Sequence, residues 1–156
     1  MRNHLVFAVA SILFAGSAFA NEAGQIKVAK GSAFVQRDGQ KVAATAGMKV
    51  RSADVLVTGA DGSIGVSFLD NSLVSTGPNS VFAIDSYTFD STTHAGKFDG
   101  SLKKGTLAAV SGKMVKQAPE SMRIRTPASI MGVRGTEFVV QVDDPDDVNS
   151  QPGKRP

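Results

Sequence analysis

The chain has 156 residues and a formal net charge of +3 at pH 7, with basic and acidic residues interspersed along it. It contains no cysteine, which excludes disulfides, thiolate metal sites and a lipid attached to an N-terminal cysteine. With no basic stripe, no tryptophan and a single tyrosine, it offers no stacking platform for bases, so nucleic acid is not an expected partner.

The first twenty residues predict a secretory signal peptide. Arg2 and His4 give a short polar, basic start, the run from Leu5 to Ala15 is almost wholly apolar, and Ala18-Phe19-Ala20 has the small residues that signal peptidase requires. A membrane-spanning helix needs about 20 apolar residues, more than this run supplies. We therefore expect cleavage after Ala20 and a periplasmic or secreted protein with no membrane anchor.

Residues 21–142 predict an all-β domain, because apolar residues alternate with polar or small ones in short runs, as in Ile64–Phe68 and Phe138–Val142. The runs are separated by sequences suited to tight turns: Asp38-Gly39, Asp61-Gly62, Asp70-Asn71, Gly77-Pro78-Asn79 and Asp99-Gly100. This spacing predicts about ten to fourteen short strands, and it does not separate a rolled sheet from a β-sandwich.

Two segments depart from this pattern. Leu107–Met122 has apolar spacings that a helix could use, but Gly112 and Pro119 interrupt them, so we predict a strand followed by a turn. Residues 143–156 form an acidic and polar tail with little to bury, which we expect to be disordered. Its aspartates lack the spacing of a calcium-binding loop, so no metal site is predicted.

Catalytic signatures are weak throughout. After the signal peptide the single histidine is His94, in a polar stretch, and no Gly-x-Ser-x-Gly elbow occurs. Gly100–Thr106 has the glycine spacing of a phosphate loop but lacks the lysine after its second glycine, so we interpret it as a hairpin-like turn. We predict no catalytic residue and no cofactor. The alternative is a hydrolase acting on cell-wall or glycan material through paired aspartates.

The most informative stretch is Arg123–Val142. Pro127 is suited to a strand start or edge. Gly132 and Gly135 are two places where the backbone can take positive φ or approach another strand closely, which predicts a bulged turn before the last strand. Arg134 then has a plausible partner in Glu137 or in backbone carbonyls. We favour this architectural role for Arg134 over a role as a ligand-binding cation.

A Thr-Pro pair followed by Gly-x-Arg-Gly-Thr-x-Phe resembles the closing segment of the FecR domain, and the likeness extends from about Gln25 to Val142. The motif residues are Thr126, Pro127, Gly132, Arg134, Gly135, Thr136 and Phe138. Two departures lie in the body of the domain, where Ala53-Asp54 replaces a frequent Gly-Asp and Asp70-Asn71 replaces a common Asp-Gly.

The resemblance implies a solenoid-like or rolled domain of the Gram-negative-type envelope. In regulatory members this domain lies outside the inner membrane, joined through a transmembrane helix to a cytoplasmic segment that holds a sigma factor, and we expect neither part here. The expected function is that of an exported, non-catalytic module that binds an envelope protein or polysaccharide, in envelope signalling or surface-protein assembly.

The signal-peptide prediction is tested by N-terminal sequencing of the exported protein, which should begin at Asn21 because the apolar run ends in Ala18-Phe19-Ala20. A membrane-bound product that retains Met1 would contradict it.

Overall fold

Twelve β-strands and one short helix make up residues 22–144, the part of the chain that the computed structural model describes. The elements are β1 (Glu22–Lys30), β2 (Ala33–Arg37), β3 (Gln40–Ala43), β4 (Lys49–Arg51), β5 (Val55–Thr58), β6 (Ser63–Phe68), β7 (Leu73–Thr76), β8 (Val81–Phe89), β9 (Gly96–Val110), α1 (Lys113–Gln117), β10 (Met122–Arg125), β11 (Ile130–Gly132) and β12 (Glu137–Val142). The all-β prediction is confirmed. The predicted signal peptide and the tail beyond Asp144 lie outside the described residues.

The strands form one continuous sheet that curls into a half-barrel. Its order is β3-β2-β5-β8-β9-β7-β6-β1-β4, with β10 and β12 also pairing with β9, and β11 pairing with β10. The pairs are antiparallel apart from β9 and β10, which run parallel. Because the sheet is continuous, the fold is the predicted rolled arrangement. Within the described range, no helix has the length and apolar composition to cross a membrane.

Strand β9 joins the two halves of the roll. Residues 96–104 of β9 pair with β8, and 98–101 also pair with β10; together with β2, β3, β5 and β11 they form the first half. Residues 105–110 pair with β7 and β12, which with β1, β4 and β6 form the second half. Gly105 lies at the junction with a φ of +90°, a conformation that disfavours any residue with a Cβ atom. The strand therefore changes sheet half at this glycine.

The prediction of a turn at Asp99-Gly100, and of a hairpin-like turn over Gly100–Thr106, is wrong, because both sequences lie inside β9. The glycines serve close packing there. A Cβ atom on Gly100 would lie 2.6 Å from Cζ of Phe82, and one on Gly105 would lie 2.5 Å from Cα of Ser80. Glycine residues that would suit a turn thus allow neighbouring strands to approach closely instead.

The core fills the space between the two halves, with aromatic rings at its centre. Phe68 of β6 packs in a tilted orientation against Phe98 of β9 at a centroid distance of 4.6 Å, and against Tyr87 of β8 at 5.2 Å. Phe82 meets Phe98 edge-on at 6.4 Å. These rings come from both halves and are almost fully buried, so the aromatic cluster holds the roll closed.

Both departures from the family pattern lie at positions that require a left-handed backbone. Ala53 has φ +71° and Asn71 has φ +66°. Asparagine tolerates this conformation, whereas alanine adopts it at a cost. Turns therefore form at both positions despite the substitutions.

The segment Leu107–Met122 differs in part from its prediction. It begins in a strand as predicted, and this strand ends at Val110, but α1 follows where a turn was predicted. The start of the helix is stabilised by a distant turn: the Gly112 N–H donates to Ser72 Oγ (3.1 Å), and the Lys113 N–H donates to the Asp70 carbonyl (2.8 Å). These tertiary hydrogen bonds satisfy helix-start donors that lack a local cap, which is why no capping signal accompanies the helical spacing in the sequence.

We expect Gly105→Ala to destabilise the protein by about 3 kcal/mol or more, because it combines left-handed strain with overlap against Ser80. Chemical denaturation measures the change. Gly39→Ala is the matched control, since Gly39 also has positive φ but no atom within 4 Å of the new Cβ. Equal losses in the two variants would show that close packing at the junction is unimportant.

Candidate functional site

The family motif begins in the turn between β10 and β11. The Thr126 N–H donates to the Ser129 carbonyl (2.8 Å), and the Ser129 N–H donates to Thr126 Oγ1 (3.1 Å), which closes the turn. Pro127 therefore lies in a turn, beside an edge strand, where a strand start or edge was predicted. The threonine supplies the hydrogen bonds and the proline fixes the backbone.

The second part of the motif carries the chain from the first half of the roll to the second. Gly132 ends β11, residues 133–136 cross over, and Phe138 lies in β12. The crossing is held at both ends: the Val133 N–H donates to the Met122 carbonyl (3.0 Å), and Ser111 Oγ donates to the Gly135 carbonyl (2.7 Å).

Ser111 also donates its N–H to the Thr136 carbonyl at 2.8 Å, so one buried serine fixes the end of the crossing. Sequence reasoning missed Ser111. It follows a strand in an ordinary polar stretch, and nothing in the local pattern indicates its partner 24 residues away.

The prediction that Gly132 and Gly135 form a bulged turn is wrong. Neither has positive φ, and β12 pairs with β9 without a shift in register. A Cβ atom on Gly132 would have no neighbour within 4 Å, and one on Gly135 would lie 3.8 Å from the Glu137 carbonyl oxygen. The chain changes sheet half through a loop, so no bulge is needed.

The architectural role predicted for Arg134 is also not supported. Its side chain is 77% exposed, and Nη2 lies 3.6 Å from Oε1 of Glu120, which is 85% exposed. The predicted partner Glu137 is not the one found. An ion pair this exposed contributes little to stability, so Arg134 is displayed on the surface.

Arg134 lines a shallow surface depression of about 250 Å³, which we call the basic depression. Its other residues are Pro119, Glu120, Arg123 and Gly132. Arg123 contacts a buried carboxylate below it, with Nε 3.3 Å from Asp99 Oδ1, and Lys97 Nζ lies 3.0 Å from Asp99 Oδ2. The Arg123 contact is an ion pair without hydrogen-bond geometry, since Oδ1 lacks a hydrogen-bond partner. The depression carries two guanidinium groups against the single carboxylate of Glu120, so its lining is net positive.

A second depression, the edge groove, lies between the Thr126–Ser129 turn and the end of β12. It has a volume of about 340 Å³ and is lined by Thr126, Pro127, Ala128, Ser129, Met131 and the stretch Val140–Asp143. Its walls are largely apolar. Both halves of the motif therefore border surface depressions, one basic and one apolar.

The buried Asp54 serves the architecture. Its carboxylate accepts hydrogen bonds from Arg37 Nε (2.8 Å), from Arg37 Nη2 (2.6 Å) and from the Arg51 N–H (3.0 Å). The hydrogen bond to Asp54 raises the pKa of Arg37. This bidentate pair ties β2 to the turn between β4 and β5, which leaves the carboxylate no free oxygen for acid–base chemistry.

The buried Asp70 is held in a polar network. Its carboxylate accepts from Ser72 Oγ (2.6 Å) and from the Tyr87 hydroxyl (3.1 Å), and the Tyr87 oxygen in turn accepts from the Asp70 N–H (3.0 Å). Burial, together with the neighbouring Asp70 carboxylate, raises the pKa of Tyr87. The network joins β8 to the turn between β6 and β7, and it lies inside the core, away from either depression.

His94 lies in the turn between β8 and β9, with φ +59°, and stacks on Phe89 at a centroid distance of 6.2 Å. In residues 22–144 no cluster of histidine and acidic residues could hold a metal ion. The hydrolase alternative gains no support from the structure or from comparison with known proteins.

A family model described as FecR protein matches residues 54–151, which is more than half of the chain. The chain belongs to the FecR family. The match starts later than the predicted Gln25 and leaves β1–β4 outside, although these strands belong to the same sheet. No curated protein and no solved structure matches the chain.

Arg134→Ala should change the free energy of unfolding by less than about 0.5 kcal/mol, because the side chain is exposed and its ion pair is weak. Ser111→Ala should cost about 1–2 kcal/mol, because it leaves the Gly135 carbonyl without its donor. Denaturant melts of the two variants give the comparison. A larger loss for Arg134→Ala than for Ser111→Ala would restore the architectural role of the arginine.

Tyr87→Phe should cost about 1–3 kcal/mol at neutral pH, since two polar groups of Asp70 lose a partner. The raised pKa of Tyr87 has a second consequence. Above about pH 10 the unfolded chain loses the phenolic proton while the folded protein retains it, so stability falls as the pH rises.

This alkaline loss should be smaller in Tyr87→Phe, and it can be assigned cleanly because Tyr87 is the only tyrosine in the chain. Melts from about pH 8 to about pH 11 provide the test. Identical pH dependence in the two proteins would contradict the raised pKa.

Proposed function

We propose that this FecR-family chain is an exported, non-catalytic binding module of the bacterial envelope, which acts in envelope signalling or surface-protein assembly. Family membership supports an envelope role. The predicted signal peptide supports a periplasmic or secreted location. The partner is another envelope component, either a protein or a polysaccharide.

The observation behind this proposal is the position of the family motif at the surface. Residues that hold the roll together, such as Asp54 and Tyr87, are buried and hydrogen-bonded, whereas Arg134 is 77% exposed beside the basic depression. Ile130, next to the Thr-Pro turn, is 66% exposed. An exposed arginine and an exposed aliphatic residue within one short motif are typical of a recognition surface.

The proposal also explains why Arg134 is exposed when the architecture does not use it. A guanidinium presents several donors in one plane and suits the carboxylates or hydroxyls of a partner. Because its present ion pair with Glu120 is solvated, exchanging that pair for a partner's acidic group costs little.

Capture from an envelope extract by the immobilised protein tests this function. The unaltered protein should bind one envelope component in a saturable way, and the double variant Arg134→Ala/Ile130→Ser should no longer bind it. The matched control is Lys41→Ala/Val42→Ser on β3, which changes a cation and an exposed aliphatic residue at the far end of the sheet. Both variants should keep the melting temperature of the parent within a few degrees, since all four residues lie at the surface.

Retention that is equal in the two double variants would contradict a binding role for this surface. Turnover of a cell-wall or glycan substrate would contradict the non-catalytic assignment, provided that it is lost on changing one exposed aspartate without loss of folding.

A further inference from the structure

The outer edge of β12 is open in the described part of the chain. β12 pairs with β9 alone, and the hydrogen bond from the Ser111 N–H to the Thr136 carbonyl sets the phase of that ladder. In an antiparallel ladder alternate residues point their backbone groups at the partner strand. The backbone N–H and C=O groups that hydrogen-bond to β9 are therefore those of Phe138, Val140 and Val142. The backbone groups that face away from β9 are those of Glu137, Val139 and Gln141.

This edge has only one of the features with which proteins usually protect a sheet edge, the charged residue Glu137 at its start. Its sequence Glu137–Val142 contains no lysine and no proline, and its pairing with β9 has no bulge. Val139, at the middle of the edge, is 66% exposed. A flat six-residue edge with an exposed β-branched residue at its centre is a template for another extended strand.

We propose that β12 pairs antiparallel with β12 of a second copy of this chain, about a two-fold axis at Val139. In this register Val139 faces its counterpart, and Glu137 of each copy faces Gln141 of the other. Every outward N–H then meets an outward C=O, because the residues that face away from β9 in one copy lie opposite their equivalents in the other.

Charge supports a second copy over other occupants. The loop before β12 carries the exposed cation Arg134, the strand itself starts at Glu137, and its end is followed by Asp143 and by Asp144, which is ion-paired with Lys104. Antiparallel pairing places Arg134 of one copy beside Asp143 of the other, twice by symmetry, and keeps the two acidic ends apart. Parallel pairing would instead place like charges together.

The edge groove gives the arrangement room. It lies beside Val140–Asp143, where the opposite copy would bring its Gly135 and Thr136. Gly135 has nearly open space around its Cα, so this loop can approach closely. The inference shares Arg134 with the basic depression, so Val139→Pro, which lies outside that depression, is the variant that separates it from the proposed envelope partner.

Sedimentation velocity of the exported full chain, from about 1 µM to about 500 µM, tests the proposal, because pairing through one short edge should give micromolar affinity. We expect a reversible dimer. Val139→Pro should weaken it about tenfold or more, since proline removes an outward N–H and leaves the β9 ladder intact. Leu73→Ser is the control. Leu73 is also exposed on this half of the sheet, but it lies on β7, an interior strand that offers no open edge.

A charge exchange avoids reliance on a proline variant that could misfold. Arg134→Glu and Asp143→Arg should each weaken the dimer, and the double variant should recover it, because Asp143 of one copy lies opposite Gly135 of the other and therefore beside its Arg134. A monomer at every concentration would overturn the proposal, as would a dimer indifferent to Val139→Pro and to both charge variants. Dimerisation only after removal of residues 145–156 would also overturn it, since the tail would then be the natural occupant of the edge.

Discussion

The bend of β9 at Gly105 is the constraint on which the rest of the fold depends. One strand of 15 residues belongs to both halves of the roll, and it changes direction where a glycine has φ +90° against Ser80. The bend brings Phe68 of one half onto Phe98 and Tyr87 of the other. Without it the apolar faces of the two halves would not meet, and the long sheet would have no common core.

The same bend determines where the family motif lies. β10 and β12 add to one edge of β9 on either side of Gly105, so the chain between them must cross from one half to the other. Residues 133–136 make that crossing, with Ser111 and Met122 holding its ends. The crossing leaves Arg134 exposed, borders the edge groove, and makes β12 a terminal strand with one open side within residues 22–144.

Much of the fold follows from the sequence because local chemistry and tertiary structure agree there. The alternation in Ile64–Phe68 gives a strand whose residues alternate between buried and half-buried, and Asp70-Asn71 forms the expected turn, with Asn71 at positive φ. The Asp99-Gly100 prediction failed because a glycine serves a turn and a close approach equally well, and the local sequence does not distinguish them.

The site was harder to predict than the fold. The motif residues were recognised, but the roles assigned to Gly135 and Arg134 were local ones, a bulge and an anchoring ion pair, and the structure uses neither. What holds the crossing is Ser111, which is distant in sequence. The direction in which the backbone of Val139 points depends on its pairing with Ala108, and residue periodicity alone does not provide that information.

Amide hydrogen exchange along β12 tests most directly whether this edge is open and waiting for a second strand. In dilute protein, the Val139 and Gln141 amides should exchange rapidly while the Val140 amide, bonded to β9, exchanges slowly. Raising the protein concentration should protect Val139 and Gln141 and leave Val140 unchanged. If Val139 is as protected as Val140 at the lowest concentration, the edge is already covered within a single chain and the account is wrong.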